Sequence, residues 1–359
     1  MSRFTAGLSL VIAAASLSPL PAFAQNDRAE RFIRETMASR HLPSVTMAVI
    51  KDGRVIDQAA FGTASVELNV PATVSTVYPI ASATKAFATE LLMMLVEEHK
   101  LELTDTLGAL LPDLPEAWTG IPLSRAMSHT SGLPDIALVP GRGPLVSEDG
   151  DSAMVKLRTM PMQFRPGEKW SYNQTNYMLI KRIIERITGD VFEAQVRHRI
   201  FEPIGMTSTA FGDGKDVIPG RATAYEADKT GKLTVRRVDF PPYVRAAAGI
   251  NTNVVDWSKW LIALTSGSLL KPESKAELWT AVKLNDGSVF RLGKQMGYGG
   301  GYVVDDTPGF RWIGHSGGGT AAFRYFLDQK IGFVVLTNGT MDPDALLAGI
   351  AKAYLPDLP

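Results

Sequence analysis

The chain has 359 residues, 45% of them hydrophobic, and its 37 Lys and Arg balance 37 Asp and Glu. This length allows one large domain or two closely packed domains with a substantial core. The absence of Cys excludes a disulfide scaffold, a thiol nucleophile and thiolate metal sites, and the balanced charge without a Lys- or Arg-rich run predicts no nucleic-acid partner.

Residues 1–24 have the layout of a secretory signal peptide. Arg3 precedes an apolar stretch, and the segment ends in Ala22-Phe23-Ala24, an A-x-A cleavage site. The alternative is a retained membrane anchor, but the apolar stretch is shorter than the ~20 residues that a membrane-spanning helix needs. We therefore expect a periplasmic or secreted protein that has no membrane association after cleavage. We also expect a monomer.

The first predicted elements after this segment form a hairpin. Apolar and β-branched residues predict strands over 44–50 and 55–61, and Lys51-Asp52-Gly53-Arg54 between them is typical of a tight turn. Over 82–99 the apolar residues recur instead at helical spacing. Further helices are predicted over 124–128, 176–188 and 192–200, and Pro and Gly mark loops over 133–150 and 161–167.

The last third of the chain returns to strands. Short runs rich in aromatic and β-branched residues predict strands over 311–315, 321–327 and 331–337, and residues 344–354 predict a closing helix. Strands near both ends with helices between them predict a mixed α/β (α+β) fold. We assign an antiparallel sheet domain flanked by helices to residues 25–80 plus 245–359, with a mostly helical domain, residues 81–244, inserted.

Ser82-Ala83-Thr84-Lys85, at the start of a predicted helix, is an S-x-x-K motif. Residues i and i+3 lie on the same face of a helix, so a neutral Lys85 amine can accept the Ser82 proton. The start of the helix also offers free backbone N–H groups that favour developing negative charge. A second S-x-x-K, residues 268–271, precedes Pro272, which disfavours helical geometry at Lys271. We interpret that second match as a coincidence.

Two other patterns are typical of hydrolases with a Ser-His-Asp triad. Residues 314–318, Gly-His-Ser-Gly-Gly, fit G-x-S-x-G, but that motif needs a strand–turn–helix context and a later His, and His315 is the last His in the chain. His129 and Asp135 would complete a chymotrypsin-like order with Ser316, but they lie close together in a Pro- and Gly-rich loop. We reject both patterns.

A series of short motifs extends from residue 78 to residue 338. In order they are YPIASATK (78–85), KLELTD (100–105), LP (111–112), SHTSGLP (128–134), FRPG (164–167), YNQTNY (172–177), AG (248–249), HSG (315–317) and VLTN (335–338). Together they resemble the penicillin-recognising serine hydrolases, the group of class C β-lactamases, D-alanyl-D-alanine carboxypeptidases, D-amino-acid peptidases and family VIII carboxylesterases. The resemblance implies a site in the cleft between the two domains, and no cofactor.

The resemblance also implies a role for each matched position. Ser82 is the acylated nucleophile, Lys85 its proton acceptor, and Tyr172 a phenol that moves the proton between Ser82, the leaving group and water. The backbone N–H groups of Ser82 and Gly318 form the oxyanion hole, where loss of one donor costs about 2.7–4 kcal/mol. Either Lys85 or Tyr172 is the base, because nearby cations lower the pKa of a phenol while burial or positive charge favours a neutral amine.

Two positions depart from the commonest sequences of the group. Gln174 stands where the group often has Asn, and its longer side chain leaves open its role in orienting Lys85 and the substrate acyl group. His315, followed by Ser316 and Gly317, stands where β-lactamases usually have the Lys of K-T-G. An ordinary His, with a pKa of ~6.5, is largely neutral at pH 7. This difference favours a peptidase or an esterase over a β-lactamase.

The remaining candidates receive mostly structural interpretations. Arg324, on the next predicted strand, is interpreted as a surface Arg rather than as a contact for a substrate carboxylate, and His129 as part of a structural turn. The other His residues lack the spacing of a metal site, so no metal is predicted: His41, His99 and His198. Three aromatic residues either line the cleft or belong to the core: Trp170, Tyr298 and Trp312.

These patterns predict an exported serine hydrolase that cleaves an amide or an ester, in a small-molecule or peptide substrate, through an acyl-serine intermediate. D-amino-acid peptidase or carboxypeptidase activity and esterase activity rank equally, ahead of β-lactamase activity. The alternative is a non-catalytic sensor that is acylated or occupied by cell-wall fragments, because the changes at Gln174 and His315 are compatible with slow deacylation. Activity is expected to rise with pH as His315 loses its proton or as Lys85 and Tyr172 reach their active ionisation.

Overall fold

The computed structural model describes residues 22–137 and 149–359. The predicted signal peptide, residues 1–24, lies outside this part of the chain except for its last three residues. The α-helices are α1 (Ala22–Arg40), α2 (Thr84–Glu97), α3 (Leu107–Leu110), α4 (Glu116–Thr119), α5 (Leu123–Met127), α6 (Gly150–Arg158), α7 (Gln174–Thr188), α8 (Phe192–Val196), α9 (Val254–Ser266), α10 (Pro272–Leu278) and α11 (Pro343–Tyr354).

The strands are short in the middle of the chain and longer towards its ends. They are β1 (Ser44–Lys51), β2 (Arg54–Ser65), β3 (Val70–Pro71), β4 (Tyr78–Pro79), β5 (Ala210–Phe211), β6 (Tyr225–Ala227), β7 (Leu233–Val235), β8 (Ile250–Thr252), β9 (Met296–Tyr298), β10 (Val303–Asp305), β11 (Trp312–Gly317), β12 (Ala321–Phe326) and β13 (Ile331–Thr337). Two 3₁₀ turns cover Ala81–Ala83 and Pro242–Val244, and a π-helical turn, Arg197–Phe201, continues α8.

The main sheet joins the two ends of the described chain. Its eight antiparallel strands follow the order β3-β2-β1-β13-β12-β11-β10-β9. Strand β1 pairs with β13, from Val45 opposite Thr337 to Lys51 opposite Ile331, and on its other side with β2. The mostly helical segment lies between these strands in the sequence. The predicted fold class is confirmed, while the residue boundaries of the two predicted domains stay a prediction.

Strand β1 is buried on both faces of the sheet. Val45, Met47 and Val49 belong to a core that also contains residues of α1 and α11. Ala48 and Ile50 belong to the larger core, which contains residues of α2, α7 and α9. Successive side chains of a strand point to opposite faces, so a strand covered on both sides needs a nearly continuous apolar run.

Helix α7 carries a candidate site residue, Gln174, at its first position. The side chain of the preceding residue, Asn173, accepts a hydrogen bond from the Thr175 N–H and caps the helix. The helix ends at Gly189, which has a φ of 72°, the left-handed conformation common at helix ends. Residues along α7 are buried against α2, which begins at Thr84, two residues after Ser82.

Several elements differ from the sequence prediction. The sequence pattern does not predict α1, α9, β9 or β10. The two strands have three residues each, too few to show a period, and α9 is rich in Val, Trp, Ile and Thr, which are weak helix formers. The helix predicted over 192–200 ends as an α-helix at Val196, where the π-helical turn begins.

Two of the three patterns set aside above, the second S-x-x-K and G-x-S-x-G, lack the geometry that they need. Lys271 is the extended residue before α10, and Ser268 lies in the loop before it, so the second S-x-x-K has no helical spacing. The G-x-S-x-G residues lie on β11 and in the turn to β12, without a following helix. Within residues 22–137 and 149–359, no helix combines the length and the apolar character that a membrane crossing requires.

Candidate active site

Ser82 lies in the 3₁₀ turn that leads into α2. The preceding residue, Ala81, is buried and has a φ of 44°, a backbone conformation that costs a non-glycine residue about 1–3 kcal/mol. Gly317 of β11 packs against this turn so closely that a Cβ there would lie 2.1 Å from the Ile80 carbonyl oxygen and 2.7 Å from the Ser82 nitrogen. Only glycine therefore fits where β11 meets the Ser82 turn.

The Lys85 side chain lies beside Ser82 and is fully buried. Its Nζ donates to Gln174 Oε1 at 2.8 Å and to the Ala247 carbonyl oxygen at 2.9 Å, and it lies 3.5 Å from Ser82 Oγ. Burial lowers the Lys85 pKa from its ordinary value of 10.5 to about 7, and the Asp135 carboxylate opposes this change. A large fraction of the Lys85 amine is therefore neutral at pH 7.

Gln174 reaches Lys85 although it is one methylene longer than Asn. Its backbone N–H donates to Asp135 Oδ1 at 3.0 Å, and its side-chain oxygen accepts the Lys85 hydrogen bond. The first turn of α7 thus fixes both the amide and the carboxylate near the amine. The contact with Lys85 that the sequence left open is present in the structure.

Tyr172 contributes a buried hydroxyl to the same cluster. The Lys85 Nζ lies 4.8 Å from the centre of the Tyr172 ring. Burial raises the Tyr172 pKa above its ordinary value of 10, and the Ser82 and Gln174 side chains oppose this change. The expectation that cations lower this pKa is wrong, because burial has the larger effect. Tyr172 is a protonated phenol at neutral pH.

His315 lies on β11 as a neutral imidazole. Its Nδ1 is 2.6 Å from the Ser316 carbonyl oxygen, which only accepts, so Nδ1 carries the proton. Its Nε2 then accepts from the Tyr298 hydroxyl at 3.2 Å. Burial, followed by the charge of Lys85, lowers the His315 pKa to about 3. The imidazole is neutral at pH 7, as expected, but its titration cannot raise activity in the neutral pH range.

The turn after β11 presents the Gly318 backbone. Gly318 has a φ of 60°, which favours glycine. The Gly317 carbonyl, which shares a peptide unit with the Gly318 N–H, accepts from the Thr320 N–H at 3.0 Å and from Thr320 Oγ1 at 3.2 Å. Thr320 is buried and so fixes the plane of this peptide. The Gly318 N–H makes no hydrogen bond within the described chain and is available to a ligand.

These groups surround a cavity of about 290 Å³. Its lining residues are Ser82, Trp170, Tyr172, Leu292, Tyr298, Val303, His315, Ser316, Gly317, Gly318, Gly319 and Pro343. The structure thus brings six of the eight predicted site residues to one cavity. The other two, Lys85 and Gln174, are not among its lining residues but contact each other beside Ser82.

Sequence reasoning missed several contributors. Asp135, which influences the Lys85 pKa, entered only as part of a rejected triad. Ala247 contributes a backbone carbonyl, which any residue type could supply, so no sequence signal exists. The same is true of three apolar residues at the cavity that are separated in the sequence: Leu292, Val303 and Pro343. Trp170 and Tyr298 do line the cavity, one of the two interpretations left open for them.

Arg324 is neither a surface residue nor a cavity residue. Its guanidinium lies 3.9 Å from the centre of the Trp312 ring and pairs with Asp344 Oδ1 at 3.3 Å. The side chain is 11% exposed, so the interpretation as a surface Arg is wrong. It is wrong because Trp312 and the start of α11 cover this side chain. Trp312 itself belongs to the core between the sheet, α1 and α11.

The remaining His residues show no catalytic arrangement. His129 is buried, and its Nδ1 accepts from the Asn173 N–H at 3.2 Å, in keeping with the structural role assigned to it. The part of the chain that the structure describes contains no group of three or more His, Cys, Asp or Glu placed to hold a metal ion.

The sequence matches other proteins along most of its length. It is 25% identical over 331 residues to penicillin-binding protein 4* of Bacillus subtilis, which covers 86% of this chain and 71% of that protein. It is 30% identical over 187 residues to a putative D-alanyl-D-alanine carboxypeptidase of Escherichia coli, covering 47% of this chain and 43% of that protein. The match thus spans less than half the length of the E. coli relative.

Solved structures share the fold. A penicillin-binding protein homologue from Pyrococcus abyssi, described as octameric, superposes with a TM-score of 0.79 at 28% identity, over 92% of this chain and 77% of that one. EstCE1, described as a hydrolase with promiscuous acyltransferase activity, superposes with a TM-score of 0.80 at 21% identity, over 92% of this chain and 99% of that one. D-amino acid amidase from Ochrobactrum anthropi SV3 superposes with a TM-score of 0.78 at 22% identity, over 93% of this chain and 99% of that one. Since the Beta-lactamase family model also matches residues 29–354, the chain belongs to the Beta-lactamase family.

Proposed function

We propose that this protein is an exported serine hydrolase that cleaves a carboxylic ester or amide bond through an acyl-Ser82 intermediate, without a cofactor. The contacts of Lys85 carry the proposal. A neutral amine has two N–H donors and one lone pair. Gln174 Oε1 and the Ala247 carbonyl oxygen use the two donors, which leaves the lone pair for Ser82 Oγ at 3.5 Å. The Lys85 amine is thus positioned to accept the Ser82 proton.

Acylation then follows from the positions of four groups. Ser82 Oγ attacks the substrate carbonyl carbon while its proton moves to Lys85 Nζ. The backbone N–H groups of Ser82 and Gly318 stabilise the oxyanion. Tyr172, which is protonated, gives its proton to the departing alcohol or amine and takes one back from Lys85. This step leaves acyl-Ser82, the released alcohol or amine, and the starting protonation states.

Deacylation uses the same groups with water as the nucleophile. Water attacks the acyl carbonyl carbon, and its proton moves to Lys85 Nζ. The ester bond to Ser82 Oγ breaks, and Oγ takes up that proton as the carboxylic acid leaves. Lys85 is the base in both steps because its pKa is about 7, whereas the pKa of Tyr172 is raised above its ordinary value.

The names of the relatives support amide cleavage and acyl transfer. Their names include a putative carboxypeptidase, an amidase and a hydrolase with acyltransferase activity. β-Lactamase activity ranks lower because His315, at the position of the Lys in K-T-G, is neutral. We also propose export, which rests on the signal-peptide pattern of residues 1–24. Amino-terminal sequencing of the exported protein should then start at Gln25.

A substrate panel read by intact mass tests the proposed activity. Short p-nitrophenyl esters, a D-phenylalanine amide, a D-Ala-D-Ala peptide and a cephalosporin are each incubated with the purified protein. We expect an acyl adduct on Ser82, and a loss of turnover of about 10³-fold or more in Ser82→Ala. Ser268→Ala, in the second S-x-x-K, is the matched control and should keep full activity.

Two outcomes would contradict the proposal. Turnover that survives in Ser82→Ala but is lost in Ser316→Ala would move the nucleophile to β11. A burst of one product equivalent without further turnover, on every substrate, would instead identify an acylated sensor.

A further inference from the structure

Five residues that line the cavity beside Ser82 carry no ionised side chain and are called the wall below: Trp170, Leu292, Tyr298, Val303 and His315. The cavity's described lining residues include no Asp, Glu, Lys or Arg. Trp170 lies flat against Phe290, with ring centres 4.4 Å apart and an interplanar angle of 11°, and Tyr298 is buried beside it. Leu292 and Val303 add aliphatic surface. A substrate group that enters this cavity therefore loses water without gaining an ionic partner.

His315 is one of the polar side chains of this wall, and both of its nitrogens are already used. Nδ1 donates to the Ser316 carbonyl oxygen, and Nε2 accepts from the Tyr298 hydroxyl. Burial of both rings disfavours a charged imidazole. The wall therefore presents a neutral ring, held in one tautomer, where a cation would be needed to bind a carboxylate.

Three cations of the described chain, Lys85, Arg236 and Arg324, are engaged elsewhere. Lys85 is fully buried and bonded to Gln174 and Ala247. Arg236 donates to the Gly318 carbonyl oxygen at 3.1 Å and lines a different cleft. Arg324 lies over Trp312 and pairs with Asp344. In residues 22–137 and 149–359, none of these three groups lines the cavity.

We propose that Tyr298 and His315 determine specificity, so that the site accepts substrates whose group against this wall is uncharged and rejects those that place a carboxylate there. The substrate class is alkyl or aryl esters and amides without a charge at that position. The proposal rests on the proposed function and adds its substrate class. Its physical basis is the cost of removing a carboxylate from water without an ion-pair partner.

Two pairs of esters test this specificity, and the members of each pair differ in a carboxylate against a neutral carboxamide of similar size. The acyl-side pair is p-nitrophenyl hydrogen glutarate and the p-nitrophenyl ester of glutaramic acid. The leaving-group pair is m-carboxyphenyl butyrate and m-carbamoylphenyl butyrate. The kcat/KM of the purified full chain is measured after subtraction of spontaneous hydrolysis. We expect a preference for the carbamoyl compound of at least about tenfold in the pair whose charge lies against His315.

Matched substitutions connect the preference to the wall. His315→Lys adds a cation and should speed hydrolysis of the ester that carries the carboxylate. The preference for the carbamoyl ester should therefore fall about tenfold. His315→Gln adds none and should keep the preference. Leu292→Lys and Leu292→Gln repeat the comparison at a cavity position that is 43% exposed, which tolerates a charge even where the His315 variants do not fold.

The outcomes separate this proposal from the proposed function. Equal kcat/KM within both pairs, with turnover that depends on Ser82, would overturn the specificity proposal and leave the hydrolase assignment intact. A preference that neither Lys substitution changes would overturn it as well. Turnover that survives Ser82→Ala would overturn the proposed function, and the specificity proposal with it.

Discussion

Replacing Lys85 with Met removes a fully buried amine and keeps a side chain of similar length. The Lys85 pKa is about 7 in the folded protein, against an ordinary value of 10.5. Between these pH values the unfolded chain binds a proton that the folded chain does not, so this residue makes the wild-type protein more stable as pH rises, by about 1.4 kcal/mol per pH unit. Below pH 7 both states bind the proton, and the full cost of about 5 kcal/mol is constant.

The substitution also removes two hydrogen bonds. Gln174 Oε1 and the Ala247 carbonyl oxygen lose their donor, at about 1–3 kcal/mol each. This loss does not depend on the protonation of Lys85. Relative to the wild type, the Lys85→Met protein is therefore expected to gain about 2 kcal/mol between about pH 9 and about pH 7.5, whatever the constant difference between the two proteins.

Urea unfolding followed by tryptophan fluorescence measures this change at several pH values. The difference in unfolding free energy between the two proteins should narrow or change sign as pH falls. Lys229→Met, at an exposed lysine, is the control and should keep the pH dependence of the wild type. A Lys85→Met difference that stays constant from about pH 9 to about pH 7.5 would show that Lys85 titrates as an exposed lysine, and would remove the basis for its role as base.

Three further predictions concern the same cluster. The kcat/KM for a neutral ester should rise with pH around a midpoint near 7 as Lys85 loses its proton. Asp135→Asn removes a charge that raises the Lys85 pKa and should move this midpoint to lower pH. A flat profile from about pH 5 to 9 would contradict the role of Lys85 as the base. Lys85→Ala should lower kcat more than Gln174→Asn, and steady-state kinetics in the opposite order would assign the main role to the amide. Gly317→Ala should lower the melting temperature and abolish acylation, because its Cβ would lie 2.1 Å from the Ile80 carbonyl oxygen. Gly120→Ala, where the space is open, should do neither, and wild-type turnover in Gly317→Ala would contradict the close packing.

The sheet was largely predictable because its long strands have a distinctive pattern. Residues 44–50 and 331–337 are mostly apolar and are buried over their full length, which matches strands covered on both faces. Helix α9 was not predictable in this way, because its Val, Ile and Trp residues are as typical of strands as of helices. Strands β9 and β10 take their conformation from pairing with β11, a long-range contact that no local pattern shows.

The site was predictable in its residues and not in its ionisation. Ordered motifs pointed to Ser82, Lys85 and Tyr172, and the structure places them together. Their protonation depends on burial by segments that are distant in the sequence, such as the Ala247 carbonyl against the Lys85 amine. The sequence therefore allowed a lowered Tyr172 pKa, whereas the packed cluster raises it. The Tyr298 contact that fixes the His315 tautomer likewise has no motif.

The pairing of β1 with β13 has a consequence for how the chain reaches its folded state. The Thr337 hydroxyl donates to the Ser44 carbonyl oxygen across 293 residues of sequence. During synthesis, β1 and β2 emerge long before their neighbour exists, so one edge of that hairpin stays unpaired until the last strands are made. The eight-stranded sheet therefore cannot close before β13 has been made, and contacts of such sequence separation are slow to form.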